Sequence, residues 1–249
     1  MKKILAFLAA SLLLLTFKVS AQAGITITPQ KITYKRQGRG IEHFKRTFSV
    51  RYPIIRGTLK PAVKTRLEKT ISYWRVFEIT LAETFSETGL DTLDYTVNYN
   101  QNDILDITLT EEFSAAYPST QNYNLVVDLK TGRQIKFADV FKTATKSKLA
   151  QMVDKKLEAE KQEILTQIES DKDETKESKD WLKEQIAALS FTAESFNEFR
   201  VGSKGVTILY DAGFPHVIQA LQPNGEYFFT YSQLKPFLKP GGLLGKFVR

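Results

Sequence analysis

Apolar and polar positions alternate along several short stretches of the chain. In Asn122–Lys130, Tyr123, Leu125, Val127 and Leu129 take every second place. Asn122, Asn124, Asp128 and Lys130 fall between them, and Val126 alone breaks the rule. A period of two predicts a strand with one apolar face. Lys130-Thr131-Gly132-Arg133 supplies a turn in which Gly132 is free to take a positive φ. Ile135 and Phe137 resume the alternation on a return strand, and Asp139-Val140-Phe141 leads toward a helix. The same period marks Phe44, Phe48, Val50 and Tyr52, a strand expected to stop at Pro53. It recurs at Tyr95, Val97 and Tyr99, and again at Leu105, Ile107 and Leu109, with Asn100–Asp103 as the polar turn between. Further strands are expected over Phe196–Val201, at Val206, Ile208 and Tyr210, and at Tyr227, Phe229 and Tyr231 after the turn Pro223-Asn224-Gly225. Gly24–Tyr34 has β character interrupted by Pro29.

Elsewhere the period lengthens. Val63, Leu67, Ile71, Trp74, Phe77, Leu81 and Phe85 follow helical spacing. They predict one helix, capped by Thr58 with Pro61 in its first turn. Thr145–Ile168 carries a second stripe: Leu149, Met152, Val153, Leu157, Ile164, Leu165 and Ile168. Ser178 is placed to cap a third helix bearing Trp181, Leu182, Ile186 and Leu189. Glu169–Lys179 contains no apolar residue and reads as a solvated helix end or inter-helix loop. A short helix is expected over Gln233–Leu238, followed by a mobile tail. Strands joined by short turns pair antiparallel. The fold class is therefore α+β, with antiparallel sheets and packed helices. A strand–helix–meander unit is followed by two helices and a second set of strands.

Composition refines this picture. Seventeen Phe and ten Tyr in 249 residues, with 42% hydrophobic residues, suffice for a packed core. Residues 1–23 read as a signal peptide: Lys2 and Lys3, the mostly apolar run Ile4–Phe17, then Ala21-Gln22-Ala23 as an A-x-A cleavage site. The run is too short for a spanning helix, so no transmembrane anchor is expected after cleavage, and export to the periplasm or beyond is. Subtracting Lys2, Lys3 and Lys18 from 35 bases leaves 32 against 28 acids, a net +4. That mild balance lacks the concentrated stripe of a nucleic-acid binder. The chain has no cysteine, which excludes disulfides, thiolate metal sites and cysteine nucleophiles.

Candidate chemistry is sparse. The histidines, His43 and His216, stand far apart and lack metal-ligand spacing. No G-x-S-x-G elbow or phosphate-binding glycine loop is present. Asp91 with Asp94, and Glu111 with Glu112, are the carboxylate pairs available for acid–base work. Asp171–Thr175 has acids at calcium-loop spacing, but Lys176 replaces the required glycine, and the run reads as a solvated face. No catalytic residue, metal site or cofactor is assigned. Tyr117, Phe214, His216 and Tyr227 are the candidate ligand contacts, as aromatic or ring side chains able to stack on sugars or anchor a protein interface.

Tyr52-Pro53-Ile54-Ile55, the helix after it, Asp128-Leu129-Lys130-Thr131-Gly132 and Phe137-Ala138-Asp139-Val140-Phe141 resemble the accessory domain of some bacterial peptidoglycan deacetylases. Val206–Tyr210 through Pro215, Gly225, Tyr231-Ser232-Gln233-Leu234 and Leu238 resemble the domain that follows it. The same pair resembles the extracytoplasmic region of the lysozyme-binding anti-sigma factor. The resemblance implies an exported α+β pair with an N-terminal extension at 24–43, a deacetylase-accessory-like domain at 44–143, an anti-sigma-factor-like domain at 144–240 and a flexible tail at 241–249. Neither a deacetylase domain nor a sigma-binding part is expected from these residues. The expected function is a non-catalytic binding module for a cell-wall glycan or a lysozyme-like protein. The alternative is a cell-envelope hydrolase with an unrecognised active site.

Overall fold

The computed structural model describes residues 24–37, 44–86, 89–114 and 118–248. The leader, His43 and Tyr117 lie outside them. Six strands, β1 (Thr26–Lys35), β2 (Thr47–Arg56), β3 (Leu90–Gln101), β4 (Ile104–Phe113), β5 (Ser119–Asp128) and β6 (Arg133–Gln134), form one sheet in chain order. All neighbours pair antiparallel except β2 and β3. The β2–β3 connection runs through helices, and such a crossover returns the chain in the parallel sense.

The two prolines do not break their strands. Pro29 of β1 lies opposite Pro53 of β2. Neither has an N–H to exchange, so they fit a pair that makes no ladder bonds. β2 continues to Arg56 because its pairing with β3 is confined to Ser49 and Val50. Beyond Val50 its outer edge makes no demand on the missing Pro53 donor.

The expected single helix is three: α1 (Pro61–Thr70), α2 (Tyr73–Val76) and α3 (Leu81–Ser86). Ser72 is extended and Glu78 takes a φ of 54°, and these two residues divide it. Lys60, not Thr58, precedes the first turn. The stripe nevertheless keeps its role. Leu67 and Ile71 are buried, and Trp74, Phe77, Leu81 and Phe85 pack beside them. They cover the sheet face made by Leu93, Tyr95, Leu105, Ile107, Leu109, Leu125 and Val127.

After β6, α4 (Phe137–Val140) replaces the expected return strand beyond Gln134, with the Asp139 carboxylate accepting from the Lys136 N–H at 2.8 Å. Helices α5 (Lys146–Ser170) and α6 (Lys176–Ala187) follow. Thr175 caps α6, its hydroxyl accepting from the Ser178 N–H at 3.2 Å. Buried Lys161 of α5 donates to Leu189 O at 2.7 Å and Ala187 O at 3.2 Å, tying the end of α6 to α5. A second, antiparallel sheet holds β7 (Phe199–Val201), β8 (Gly205–Leu209) and β9 (Glu226–Thr230). Helix α7 (Tyr231–Leu234) is capped by Thr230.

The second core draws on both halves of the chain. Val126, the exception to the β5 pattern, is buried there with Tyr99, Ile104, Phe137 and Phe141, against Leu149, Val153, Phe199, Val206 and Phe229. Phe141 bridges to Leu238, and the Lys142 N–H donates to Phe237 O at 2.8 Å. The expected mobile tail is corrected. Leu244 is fully buried and Phe247 stacks on Tyr231 at 4.5 Å, because the apolar residues of the last turn complete this core.

Candidate functional site

A cleft of about 810 Å³ lies at the end of the six-stranded sheet. Four chain segments build it: the start of β1, the β2–α1 loop, the β3–β4 turn and the β5–β6 turn. Asn102 and Asp103 hold the β3–β4 turn with φ of 54° and 58°, a pair of left-handed residues as in a type I′ hairpin. Asn102 donates to the Tyr99 hydroxyl at 2.6 Å, and the Leu129 N–H donates to Asp103 O at 2.9 Å, joining the two turns. Asn100 donates to Ile25 O at 2.7 Å, which secures the first residues of the described chain against β3. Gly57, at a φ of 110°, lies so close to Gly24 O that a Cβ would meet it at 3.0 Å.

The lining is mixed. Leu59, Val63 and Leu129 present apolar surface, and Thr58, Lys60 and Gln101 present exposed hydrogen-bonding groups. Asp103 is the one carboxylate among the described lining residues, and it pairs with Lys130 at 2.9 Å. That contact holds the Lys130 ammonium above its ordinary range. The arrangement suits recognition of a hydroxyl- or amide-rich ligand. Among the described residues its lining holds no second carboxylate of the kind that glycoside hydrolysis by an acid–base pair uses.

The sheet carries further acids. Asp106 of β4 is buried and accepts from Asn98 Nδ2 at 2.8 Å and from the Val201 N–H. Burial raises its carboxyl to about 6. Beside it the Asn124 side chain donates to Phe199 O, and the Asn124 N–H to Glu198 Oε2, both at 2.8 Å. This polar seam joins β7 to the first sheet, so Asp106 and Glu198 serve the junction between sheets. Glu111 lies two residues beyond Leu109 on β4 and is buried, with Oε2 lacking a hydrogen bond. Desolvation raises its carboxyl to about 7.

The candidate pairs separate. Glu112, next along the strand from buried Glu111, is exposed, as alternation demands. Asp91 meets Lys45 at 2.5 Å and also the Ser114 hydroxyl, whereas Asp94 meets Arg51 at 2.8 Å. Of the candidate ligand contacts, Tyr227 is buried, and its hydroxyl donates to Glu160 Oε2 at 3.1 Å. Phe214 packs beside Ile164, Ile168 and Ile218, and His216 is exposed at the start of a short 3-10 helix, His216–Leu221. None of these three lines the large cleft. The sequence reading missed Lys60 and Gln101, whose only signal is that each adjoins a turn. Among the described residues no group of three or more His, Cys, Asp or Glu could hold a metal ion. No helix there is long and apolar enough to cross a membrane.

The architecture defines a class: a two-sheet α+β fold in which a helix-covered six-stranded sheet joins a three-stranded one across a shared core. No family model matches the chain, and no curated protein matches it. Solved structures do. A member of the DUF3298 family from Bacteroides fragilis shares the fold with a TM-score of 0.53 at 14% identity, over 90% of this chain and 98% of that one. A DUF3298 family protein from Pseudomonas aeruginosa gives a TM-score of 0.52 at 14% identity, over 89% of this chain and 96% of that one. These are domains of unknown function, and the likeness is one of fold.

Proposed function

We propose that the protein is an exported, non-catalytic binding module of the cell envelope, recognising a cell-wall component or a wall-acting protein such as lysozyme. The observation that carries this reading is the cleft at the end of the first sheet. It offers exposed hydrogen-bonding groups over apolar surface, and its single lining carboxylate is held in an ion pair. The signal-peptide pattern of residues 1–23 supports export. The resemblance to deacetylase accessory domains and to the lysozyme-binding anti-sigma factor supports a wall-related ligand.

The test uses the chain from Gly24 onward. Calorimetry against purified peptidoglycan fragments and against lysozyme, with co-sedimentation on intact wall, should give saturable binding to one of them. Replacing Lys60 and Gln101 together by Ala should weaken that binding severalfold without altering the melting temperature. Absence of both heat and co-sedimentation would sink the reading. Turnover of labelled peptidoglycan that disappears in a folded Glu111→Gln variant would replace it with the hydrolase.

A further inference from the structure

A second cleft, about 510 Å³, lies between helices α1 and α2 and the β5–β6 hairpin, and its charge is one-sided. Arg66 comes from α1, Arg75 from the last turn of α2, Arg133 from β6, and Lys136 from the residue before α4. Glu78 is the one carboxylate among the described lining residues. No ion pair among the described residues uses any of the four cations or Glu78. All five are exposed.

The elements that carry Arg66 and Arg133 are tied together. Arg66 donates to Thr131 O at 2.9 Å, and Thr70 donates to Gly132 O at 2.9 Å, so the hairpin turn is locked to α1. A Cβ on Gly132 would approach Val63 O to 2.6 Å, which measures how closely the two elements meet. Four like charges gathered around one cleft repel one another, and a bound anion relieves that repulsion. Guanidinium groups present planar forks that match the oxygens of phosphate and carboxylate. Tyr123, at 36% exposure, adds a ring and a hydroxyl to the lining.

We propose that this cleft binds the phosphate or carboxylate groups of an anionic envelope polymer, with Arg75 and Arg133 as the principal contacts. That the polymer belongs to the envelope rests on the functional reading above, whereas the anion chemistry rests on the cleft alone.

Calorimetry of the chain from Gly24 onward against polyglycerol phosphate, polyglutamate and vesicles containing anionic phospholipid separates the sources. Binding to either polymer is expected, weakening by at least about tenfold from low to high salt as the charges are screened. The Arg75→Ala/Arg133→Ala double variant should lose at least about tenfold in affinity. Both side chains are exposed, so its melting temperature should match the parent. The Lys60→Ala/Gln101→Ala variant should bind the polymers as the parent does. No binding to either polymer, binding to vesicles alone, or unchanged affinity in the double variant would overturn the proposal. A protein that ignores peptidoglycan and lysozyme yet binds a polyanion through Arg75 and Arg133 would overturn the role given to the first cleft and leave the anion chemistry of this one standing.

Discussion

Glu111 shows how much one side chain can cost where a strand's pattern places it. It continues the apolar series Leu105, Ile107, Leu109, and it is buried with an oxygen that accepts no hydrogen bond. Its carboxyl is raised by desolvation to about 7, and that of Asp106 to about 6. Both hold a proton more tightly in the folded chain than in the unfolded one. Between their unfolded and folded values the native state carries the extra protons, so stability falls as pH rises from about 3.8, where Asp106 begins to contribute, to about 7, and then levels off. Glu111→Gln keeps the shape and removes the charge. It should raise stability at pH 8 by on the order of 2 kcal/mol and flatten much of the slope, as urea titrations at several pH values would show. A variant as pH-dependent as the parent would assign the slope elsewhere. Arg36 is the opposite case, a buried cation made tolerable by its partners. Its guanidinium donates to the carbonyls of Lys45 and Thr84 at 2.8 Å and to that of Leu90, and lies over the Phe48 ring at 5.2 Å. Burial lowers its basicity, with the nearby Asp91 charge opposing the shift.

At the scale of elements, the β5–β6 hairpin is oriented by its contact with α1. Gly132 has a φ of 70° and faces the α1 backbone, with Val63 O and Leu67 N both within 3 Å of where a Cβ would stand. Gly132→Ala meets a strained dihedral and a backbone clash together. It should destabilise the fold by about 2 kcal/mol or more, seen as a lower midpoint in chemical denaturation. The turn and its glycine were legible from Lys130-Thr131-Gly132-Arg133, because a positive φ is a local demand. The division of one helical stripe into α1, α2 and α3 was not legible. Periodicity reports which residues face the sheet, and Leu67, Ile71, Phe77 and Phe85 keep that face whether or not the backbone stays helical through Ser72 and Glu78. The prolines of β1 and β2 misled for a related reason. A missing donor ends a strand only where the neighbouring strand needs that donor, and Pro29 and Pro53 stand opposite one another.

At the scale of the whole molecule, the end of the chain matters more than its position suggests. Leu244→Ala should cost about 3 kcal/mol, measured by thermal or urea unfolding, because it empties a fully buried site. A mobile tail would show no change. The shared core also explains Val126, which is polar-facing by local pattern and apolar because the second core covers that face. Alternation and helical spacing along the chain determined the α+β class, the apolar faces and most turns, since each depends on residues only a few places apart. The tertiary structure decided the rest. It placed Phe247 on Tyr231, joined the sheets through Asp106 and Asn124, buried Tyr227, and gathered Arg66, Arg75, Arg133 and Lys136 around one cleft. Those contacts join residues far apart in sequence, and no local period records which distant face a side chain will meet.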